Sequence, residues 1–144
     1  MNIRFIYKSN DQDIVREKIS ILICEFVSTI LDIPDNIEIV FDIMNESVYG
    51  NTMLNPRLKN RISINNKLTS TEIIEVLVHE LIHLNQIKTG RLSSTSNGRY
   101  IWNKRQYTLN PNIDYDTLPW ERDVVAKQKH ILKQTLEYLS TTTL

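Results

Sequence analysis

Cysteine and glycine are scarce in this 144-residue sequence, and neither sign of charge is in excess. The single cysteine, Cys24, excludes a disulfide within the chain, and its place in an apolar run favours a buried, unreactive thiol. Lysine plus arginine and aspartate plus glutamate both number 17, so no net charge attracts DNA, RNA or an anionic membrane. We therefore expect neither a nucleic-acid partner nor a membrane partner.

Long apolar runs are missing as well. Charged residues interrupt every stretch before it reaches the roughly 18 apolar residues that span a bilayer, and the N-terminal region has no apolar core of a secretory signal. These absences predict a cytoplasmic protein, which we expect to be a monomer. Isoleucine and asparagine are frequent while Ala126 is the only alanine, which is typical of an AT-rich genome. This favours a low-GC bacterium, or a phage whose protein acts in the host cell.

The order of predicted elements indicates an α+β fold. No repeat, low-complexity tract or linker divides the sequence, which predicts a single domain over residues 1–144. Residues 2–8, 37–44 and 61–65 predict strands, 47–54 a weaker strand, and 100–109 a hairpin. Helices are predicted at about 11–31, 69–89 and 119–139. We expect a small mixed sheet packed on the first two helices, with the third helix at the C-terminal end.

Apolar stripes define the expected buried faces of the first and last helices. In the first helix, which Asn10 or Asp11 can cap, Ile23 and Val27 widen a stripe of five residues at helical spacing: Val15, Ile19, Leu22, Phe26 and Ile30. In the last helix, which Pro119 opens, the predicted face comprises Val125, Leu132, Leu136 and Leu139.

The middle helix carries the informative polar residues. Thr69 and Glu72 have the spacing of a capping box, and Gly90 marks the end of the helix. Apolar side chains between residues 73 and 87 surround most of its circumference, so we expect it to be central and buried. The polar exceptions form the pattern H-E-x-x-H, with His79, Glu80 and His83.

This pattern predicts a zinc site. Histidines at positions i and i+4 are neighbours on one helix face, so both imidazoles can bind one Zn²⁺ ion. Glu80, beside the first histidine, can reach a metal-bound water as general base without being a ligand. The alternative is two core histidines that share this spacing by chance. Burying those polar groups in an apolar helix costs a few kcal/mol unless a cation compensates them, which favours the metal.

A catalytic zinc ion keeps three protein ligands and one open position. Gln86 and Thr89 stand where the metzincin pattern requires Gly and His, so that subclass is excluded. Glu121, in the first turn of the last helix, is the best-placed third ligand. Its alternative role is an acidic residue that interacts with the helix dipole, and Asp123 is the fallback ligand. His130 lies among lysines, where a solvated position is expected.

These motifs resemble those of the gluzincin peptidases, particularly the small single-domain minigluzincins of phages and bacteria. The resemblance covers about residues 61–126 and is strongest at 78–86 and 115–126. It implies a zincin-like fold with an H-E-x-x-H active-site helix and a C-terminal ligand helix. It also implies a zinc metalloendopeptidase that hydrolyses a peptide or protein substrate bound along an edge strand. Segment 47–54 is our candidate for that edge.

The resemblance assigns a role to each site residue. His79, His83 and Glu121 are implied as zinc ligands and Glu80 as the general base. In the thermolysin group an aspartate one turn after the ligand glutamate helps to orient a histidine, but here that position is Val125. Another acceptor must therefore orient the imidazoles, and the candidates are Gln86, Glu75 or a backbone carbonyl.

Three tyrosines, Tyr100, Tyr107 and Tyr115, precede the last helix. A tyrosine hydroxyl can stabilise the oxyanion of a peptidase reaction, and packing against the core is the alternative for each. Tyr115, nearest to Glu121 in sequence, is our catalytic candidate. Trp102 and Trp120 are expected to be packing residues.

Two other functions remain open from the sequence. A non-catalytic, zinc-stabilised protein-binding module would keep the three ligands but would have no need of Glu80. A protease restricted to one regulatory protein would keep the whole site and show no activity on generic peptides.

Overall fold

A computed structural model describes residues 1–8, 12–52, 60–110 and 112–142. Over these residues three α-helices and two β-sheets form a mixed α+β fold, which confirms the fold class predicted from the sequence. The helices are α1 (Ile14–Ser28), α2 (Ser70–Lys88) and α3 (Pro119–Ser140). The strands are β1 (Asn2–Tyr7), β2 (Asn36–Asp42), β3 (Gly50–Thr52), β4 (Arg61–Asn65), β5 (Leu92–Ser94), β6 (Tyr100–Trp102) and β7 (Arg105–Tyr107).

The larger sheet has the strand order β1-β2-β4-β3. Strands β1, β2 and β4 are parallel, and β3 is antiparallel to β4 at the edge, so the sheet is mixed as predicted. The register places Ile39 beside Ile62 and Phe41 beside Ile64, and all four side chains are fully buried. The predicted strand at 47–54 is confirmed at 50–52, whereas its residues 53 and 54 lie outside the described residues.

All three helices contribute to the core that includes this sheet face. Asp13 caps α1, since its carboxylate accepts hydrogen bonds from the backbone N–H groups of residues 15 and 16. The predicted caps, residues 10 and 11, lie outside the described residues. The buried face consists of Ile19, Ser20, Ile23, Cys24 and Val27.

The predicted stripe of α1 is wrong at both ends. Val15, in the first turn, is 55% exposed, and Ile30, which lies beyond the C-cap residue Thr29, is 39% exposed. Neighbouring elements cover only the middle turns of α1. Ile23 and Val27, which were predicted to widen the stripe, therefore lie at its buried centre. The predicted burial of Cys24 is confirmed.

Helix α2 begins and ends as the sequence predicted. Thr69 Oγ1 accepts a hydrogen bond from the Glu72 backbone N–H at 3.3 Å, and Glu72 Oε1 accepts one from the Thr69 N–H at 3.0 Å. Gly90, with φ of +76°, follows the C-cap in the left-handed region that favours glycine. Ten of its residues are buried, which confirms its central position: Ile73, Leu77, Val78, Glu80, Leu81, Ile82, His83, Leu84, Asn85 and Gln86.

The smaller sheet, β5-β6-β7, is antiparallel. Its predicted hairpin turns through Asn103 (φ +48°) and Lys104 (φ +69°), as a tight two-residue β-turn requires. Strand β5 was not predicted, because three residues of the sequence Leu-Ser-Ser are too few to show alternation.

Aromatic side chains pack this sheet against the start of α3. Tyr100 stacks on Trp120 with ring centroids 5.1 Å apart, and Tyr107 meets Trp120 edge-on at 5.7 Å. Trp102 and Trp120 belong to a second apolar cluster together with Leu92 and Leu118. The packing predicted for both tryptophans is confirmed.

Helix α3 begins at Pro119 as predicted, but its predicted buried face is only partly correct. Leu132 and Leu139 are partly buried and pack against the core. Val125 is 65% exposed and Leu136 is 46% exposed. The buried residues of α3 are Trp120, Glu121, Val124, Ile131 and Thr135. Two of them, Glu121 and Thr135, are polar, and an apolar pattern does not detect polar residues. None of the described helices is long and apolar enough to cross a membrane.

Candidate metal centre

Two histidines of α2 and one glutamate of α3 converge inside the protein. His83 Nε2 lies 2.9 Å from Glu121 Oε1, and His79 Nε2 lies 3.5 Å from Glu121 Oε2. The two imidazole centroids are 5.1 Å apart. One ligand atom from each of the three residues lies within 4.8 Å of the others, so this group can hold a metal ion. The structure thus brings together the three predicted ligands.

The local fold explains how Glu121 comes to face α2. Leu118 and Trp120 anchor the start of α3 in the second apolar cluster, and Val124 reaches the main core one turn later. Glu121 lies between these anchors and is only 3% exposed. Its carboxylate therefore points into the protein rather than into solvent, where an acidic residue of a first turn would ordinarily lie.

A glutamine amide oxygen contacts the outer nitrogen of each imidazole. His83 Nδ1 lies 2.8 Å from Gln86 Oε1, and His79 Nδ1 lies 3.0 Å from Gln128 Oε1. Because an amide oxygen only accepts hydrogen bonds, each Nδ1 is the donor, and in the neutral rings the lone pair of each Nε2 points toward Glu121. Gln86 was one of the predicted orienting residues. Gln128 was not predicted, since it lies on a different helix from His79.

The electrostatics of the group favour a cation between its members. Glu121 Oε1 is buried and has no hydrogen-bond donor among the described residues, although His83 Nε2 lies 2.9 Å away. Two facing lone pairs at this distance repel unless a positive charge lies next to both. Two imidazole nitrogens and a carboxylate are a donor set that suits a divalent transition-metal ion. The residues present therefore fit a metal.

A proton on either Nε2 relieves the same repulsion, and the pKa values shift accordingly. Burial alone would lower the pKa of both histidines, but hydrogen bonding to Glu121 and the charge of Glu80 raise it overall. Burial would raise the pKa of Glu121, whereas His79 and His83, which donate to its carboxylate once they are protonated, hold it well below its usual range. The group attracts positive charge, and protons compete with a metal for it.

Glu80 lies beside this group without belonging to it. Its side chain is buried, and its Oε2 accepts a hydrogen bond from the hydroxyl of Thr52 on β3. Burial raises the pKa of Glu80, and this effect outweighs the opposing influence of His83 and the Thr52 hydroxyl. The predicted general base is thus held by the edge strand, a contact that the sequence did not reveal.

Tyr115, the predicted catalytic tyrosine, lies at the same cleft as Glu80 and Glu121. It begins a short 3₁₀ turn (Tyr115–Thr117). Burial and the nearby Glu121 carboxylate raise the pKa of the phenol, so it remains a hydrogen-bond donor. Tyr100 and Tyr107 instead pack on Trp120, the alternative considered for each of them.

Asp123 and His130 do not join the group. The Asp123 carboxylate accepts hydrogen bonds from Gln86 Nε2 at 2.9 Å, Arg91 Nη1 at 3.1 Å and Lys127 Nζ at 3.1 Å. These three donors occupy the carboxylate, and the group that can hold a metal ion does not include Asp123, so the structure does not bring the fallback ligand to the two histidines. His130 is exposed on α3, as expected.

The edge strand β3 borders an open cleft in front of these residues. A cavity of about 280 Å³ is lined by Gly50 and Thr52 of β3, by His83, Glu80 and Glu121, and by side chains of the second apolar cluster. The Tyr49 carbonyl accepts a hydrogen bond from the Asn65 N–H at 2.9 Å. Alternation along an antiparallel pair then turns the backbone groups of Gly50 and Thr52 away from β4.

At Gly50 the backbone of β3 lies in close contact with α2. A Cβ atom on Gly50 would lie 2.5 Å from Val76 Cγ1 and 3.2 Å from the Ser63 carbonyl oxygen. Only glycine permits this approach, which brings Thr52 within reach of Glu80.

The chain matches no protein-family model, no curated protein and no solved structure. The similarity to gluzincins therefore depends on the motif residues alone. Support for a function comes from the geometry of the site, in which His79, His83 and Glu121 converge and Glu80 lies beside them.

Proposed function

We propose that this protein is a zinc-dependent endopeptidase of the gluzincin type with a zincin-like fold. The observation that carries the proposal is the convergence of His79, His83 and Glu121, with the Glu80 carboxylate buried beside them and left outside the ligand group. A catalytic zinc site has three protein ligands and a nearby carboxylate that does not bind the metal, whereas a structural zinc site has four protein ligands.

His79 Nε2, His83 Nε2 and the Glu121 carboxylate would hold the metal. A zinc ion bound there supplies Lewis acidity toward a peptide carbonyl and lowers the pKa of a water molecule. Gln86 and Gln128 keep both imidazoles in the tautomer that offers Nε2 to the ion. The N,N,O donor set favours zinc over magnesium or calcium, which prefer ligands made only of oxygen.

Glu80 is the general base in this proposal. Its carboxylate accepts a proton from the attacking water and then delivers it to the leaving amine. The Thr52 hydroxyl holds the carboxylate at the cleft, and burial keeps bulk water away from it. Tyr115, whose hydroxyl already faces the Glu121 carboxylate and lines the same cleft as Glu80, is the candidate donor to the developing oxyanion.

The cleft supports an extended polypeptide as the substrate. The outward backbone groups of Gly50 and Thr52 can pair with a peptide that adds a strand to the edge of the sheet.

The buried position of Glu80 counts against a purely structural zinc module. An acid that is buried and excluded from the ligand group costs stability, and a binding module would gain nothing from it. A protease with a single protein target would have the same site, so activity on mixed substrates separates these two enzymes.

Metal analysis tests the proposal first. Protein purified without chelators and then loaded should contain about one zinc ion per chain, because three ligands make a mononuclear site. Anomalous scattering at the zinc edge should place the ion between His79, His83 and Glu121. His83→Ala should lose the ion. Protein that takes up no zinc on titration would exclude the proposed function.

A further inference from the structure

Gln86 makes three hydrogen bonds at a fully buried position. Its Oε1 bonds His83 Nδ1 at 2.8 Å, and its Nε2 donates to the Trp120 carbonyl at 2.8 Å and to Asp123 Oδ2 at 2.9 Å. The amide therefore connects a predicted ligand of α2 with a carboxylate of α3.

Chemistry fixes the orientation of this amide. A backbone carbonyl and a carboxylate only accept hydrogen bonds, so the NH₂ end of Gln86 must face Trp120 and Asp123. A flipped amide would place its oxygen against two acceptors and lose both bonds. The amide oxygen therefore faces His83, which requires a hydrogen on His83 Nδ1 and leaves Nε2 free to bind a metal.

Asp123 is itself held in place. Arg91 bonds the same Oδ2 atom as Gln86, and Lys127, one turn further along α3, lies 3.1 Å from Oδ1. Arg91 also donates to Asn85 Oδ1 at 2.6 Å and lies over the Trp102 ring at 5.6 Å. A chain of contacts thus runs from the small sheet through Arg91 and Asp123 to Gln86 and His83.

His79 has no equivalent support. Its Nδ1 partner, Gln128, is partly exposed on α3. Over the described ranges, no hydrogen bond joins the Gln128 amide nitrogen to a carboxylate. The two imidazoles are therefore oriented unequally, and His83 is the more firmly held.

We infer that Asp123 is a positioning residue that acts through Gln86 to fix His83 as a metal ligand. The inference rests on the proposed function, because His83 is one of the proposed zinc ligands. It accounts for a carboxylate that lies close to the group without joining it. It also identifies an acid that helps to orient a histidine. Val125, four positions after Glu121, has no acidic group and cannot do so.

A double-mutant cycle on zinc affinity tests the inference. Gln86→Leu and Asp123→Ala should each weaken zinc binding by roughly 10–100-fold, measured by competition with a chromophoric chelator. If Asp123 acts through Gln86, the double variant should bind zinc no more weakly than Gln86→Leu alone. Gln128→Leu is the matched control, and in that background Asp123→Ala should show its full effect. Additive losses in the Gln86→Leu background would overturn the inference.

A conservative variant distinguishes the hydrogen bond from the charge. Asp123→Asn keeps an oxygen that can accept from Gln86 and Arg91, so its zinc affinity should stay near that of the wild type. An affinity as low as that of Asp123→Ala would mean that the charge, rather than the relay, matters. The visible spectrum of the cobalt-loaded protein should change in Asp123→Ala and Gln86→Leu, and remain unchanged in Asp123→Asn.

Nuclear magnetic resonance of the metal-free protein separates failure of the relay from failure of the proposed function. At a pH where the imidazoles are neutral, the wild type and Asp123→Asn should show hydrogen on His83 Nδ1, and Asp123→Ala should show mixed tautomers. A wild type that binds no zinc but keeps this pattern would refute the metal site and leave the relay standing. Identical tautomers in all variants would refute the relay.

Discussion

The carboxylate of Glu121 lies 2.9 Å from Nε2 of His83, in a buried position where its Oε1 atom accepts no hydrogen bond from the described residues. The hydrogen bond that His83 Nδ1 donates to Gln86 Oε1 leaves that Nε2 without a hydrogen when the ring is neutral. A cation between the two residues converts a repulsion into two attractive contacts. A metal ion bound there should therefore stabilise the folded protein.

Zinc should raise the free energy of unfolding. At a free zinc concentration one hundred times the dissociation constant, the expected gain is about 2.7 kcal/mol, provided that the unfolded chain binds zinc weakly. Urea unfolding with buffered zinc and with a chelator measures this gain. Glu121→Gln should abolish most of it, whereas Glu137→Gln, an exposed position on the same helix, should keep it. An equal response in both variants would exclude Glu121 as a ligand.

Gly50→Ala should destabilise the protein and move β3 away from α2. The added Cβ would lie 2.5 Å from Val76 Cγ1, a stiff β-branched side chain, and close to the Ser63 carbonyl. Overpacking of this kind costs about 1–3 kcal/mol, which a shift of the urea midpoint would report. Asn51→Ala, at the exposed neighbouring position, should change stability by less than about 0.5 kcal/mol. Equal midpoints for the two variants would contradict the close contact.

Thr52→Val should slow peptide cleavage without removing zinc. The substitution keeps the shape of the side chain and removes the hydroxyl that donates to Glu80. Loss of a hydrogen bond to a charged group corresponds to a decrease in kcat of roughly 10-fold or more. Zinc affinity, measured on the same preparation, should stay at the wild-type value because Thr52 contacts no member of the ligand group. A parallel loss of zinc would show that Thr52 supports the fold of the site instead.

Cys24 should make stability depend on alkaline pH. Burial raises the pKa of its thiol from 9.0 to about 12, so above pH 9 the unfolded chain releases a proton that the folded chain keeps. The unfolding free energy contributed by Cys24 is therefore complete below pH 9 and falls by about 1.4 kcal/mol per pH unit above it. The stability difference between wild type and Cys24→Ala should shrink between pH 9 and 11. A constant difference would mean that the thiol ionises freely in the folded state.

Local patterns accounted for most of the fold. The capping box at Thr69, the stop at Gly90 and the start of α3 at Pro119 each depend on residues a few positions apart, and all three were predicted correctly. The buried faces of α1 and α3 were predicted only in part, because burial depends on which turns the neighbouring elements cover. Ile19, Ile23 and Val27 of α1 are buried as predicted, and Leu132 and Leu139 of α3 pack against the core. On α3 the polar residues Glu121 and Thr135 occupy the covered face.

In the site, too, the arrangement of residues within one helix was predictable, whereas contacts between separate elements were not. His79, Glu80 and His83 share one helix, so their spacing alone places them together. Their supporting contacts join separate elements, as between Glu80 and Thr52 or between His79 and Gln128, and no sequence period records such pairs. Asp123 was predicted as a fallback ligand, but its hydrogen bonds to Gln86 and Arg91 join residues more than 30 positions apart, which no local pattern indicates.

Cleavage by the wild type and by Glu80→Gln, both loaded with zinc, tests the proposed peptidase most directly. The substrate is a denatured protein mixture, and new termini are detected by mass spectrometry. The wild type should generate new termini and a chelator should stop it, whereas Glu80→Gln should keep one zinc ion and lose at least about 10²-fold of the activity, because an amide cannot accept the proton of water. Identical products at identical rates from both zinc-loaded proteins would contradict the account.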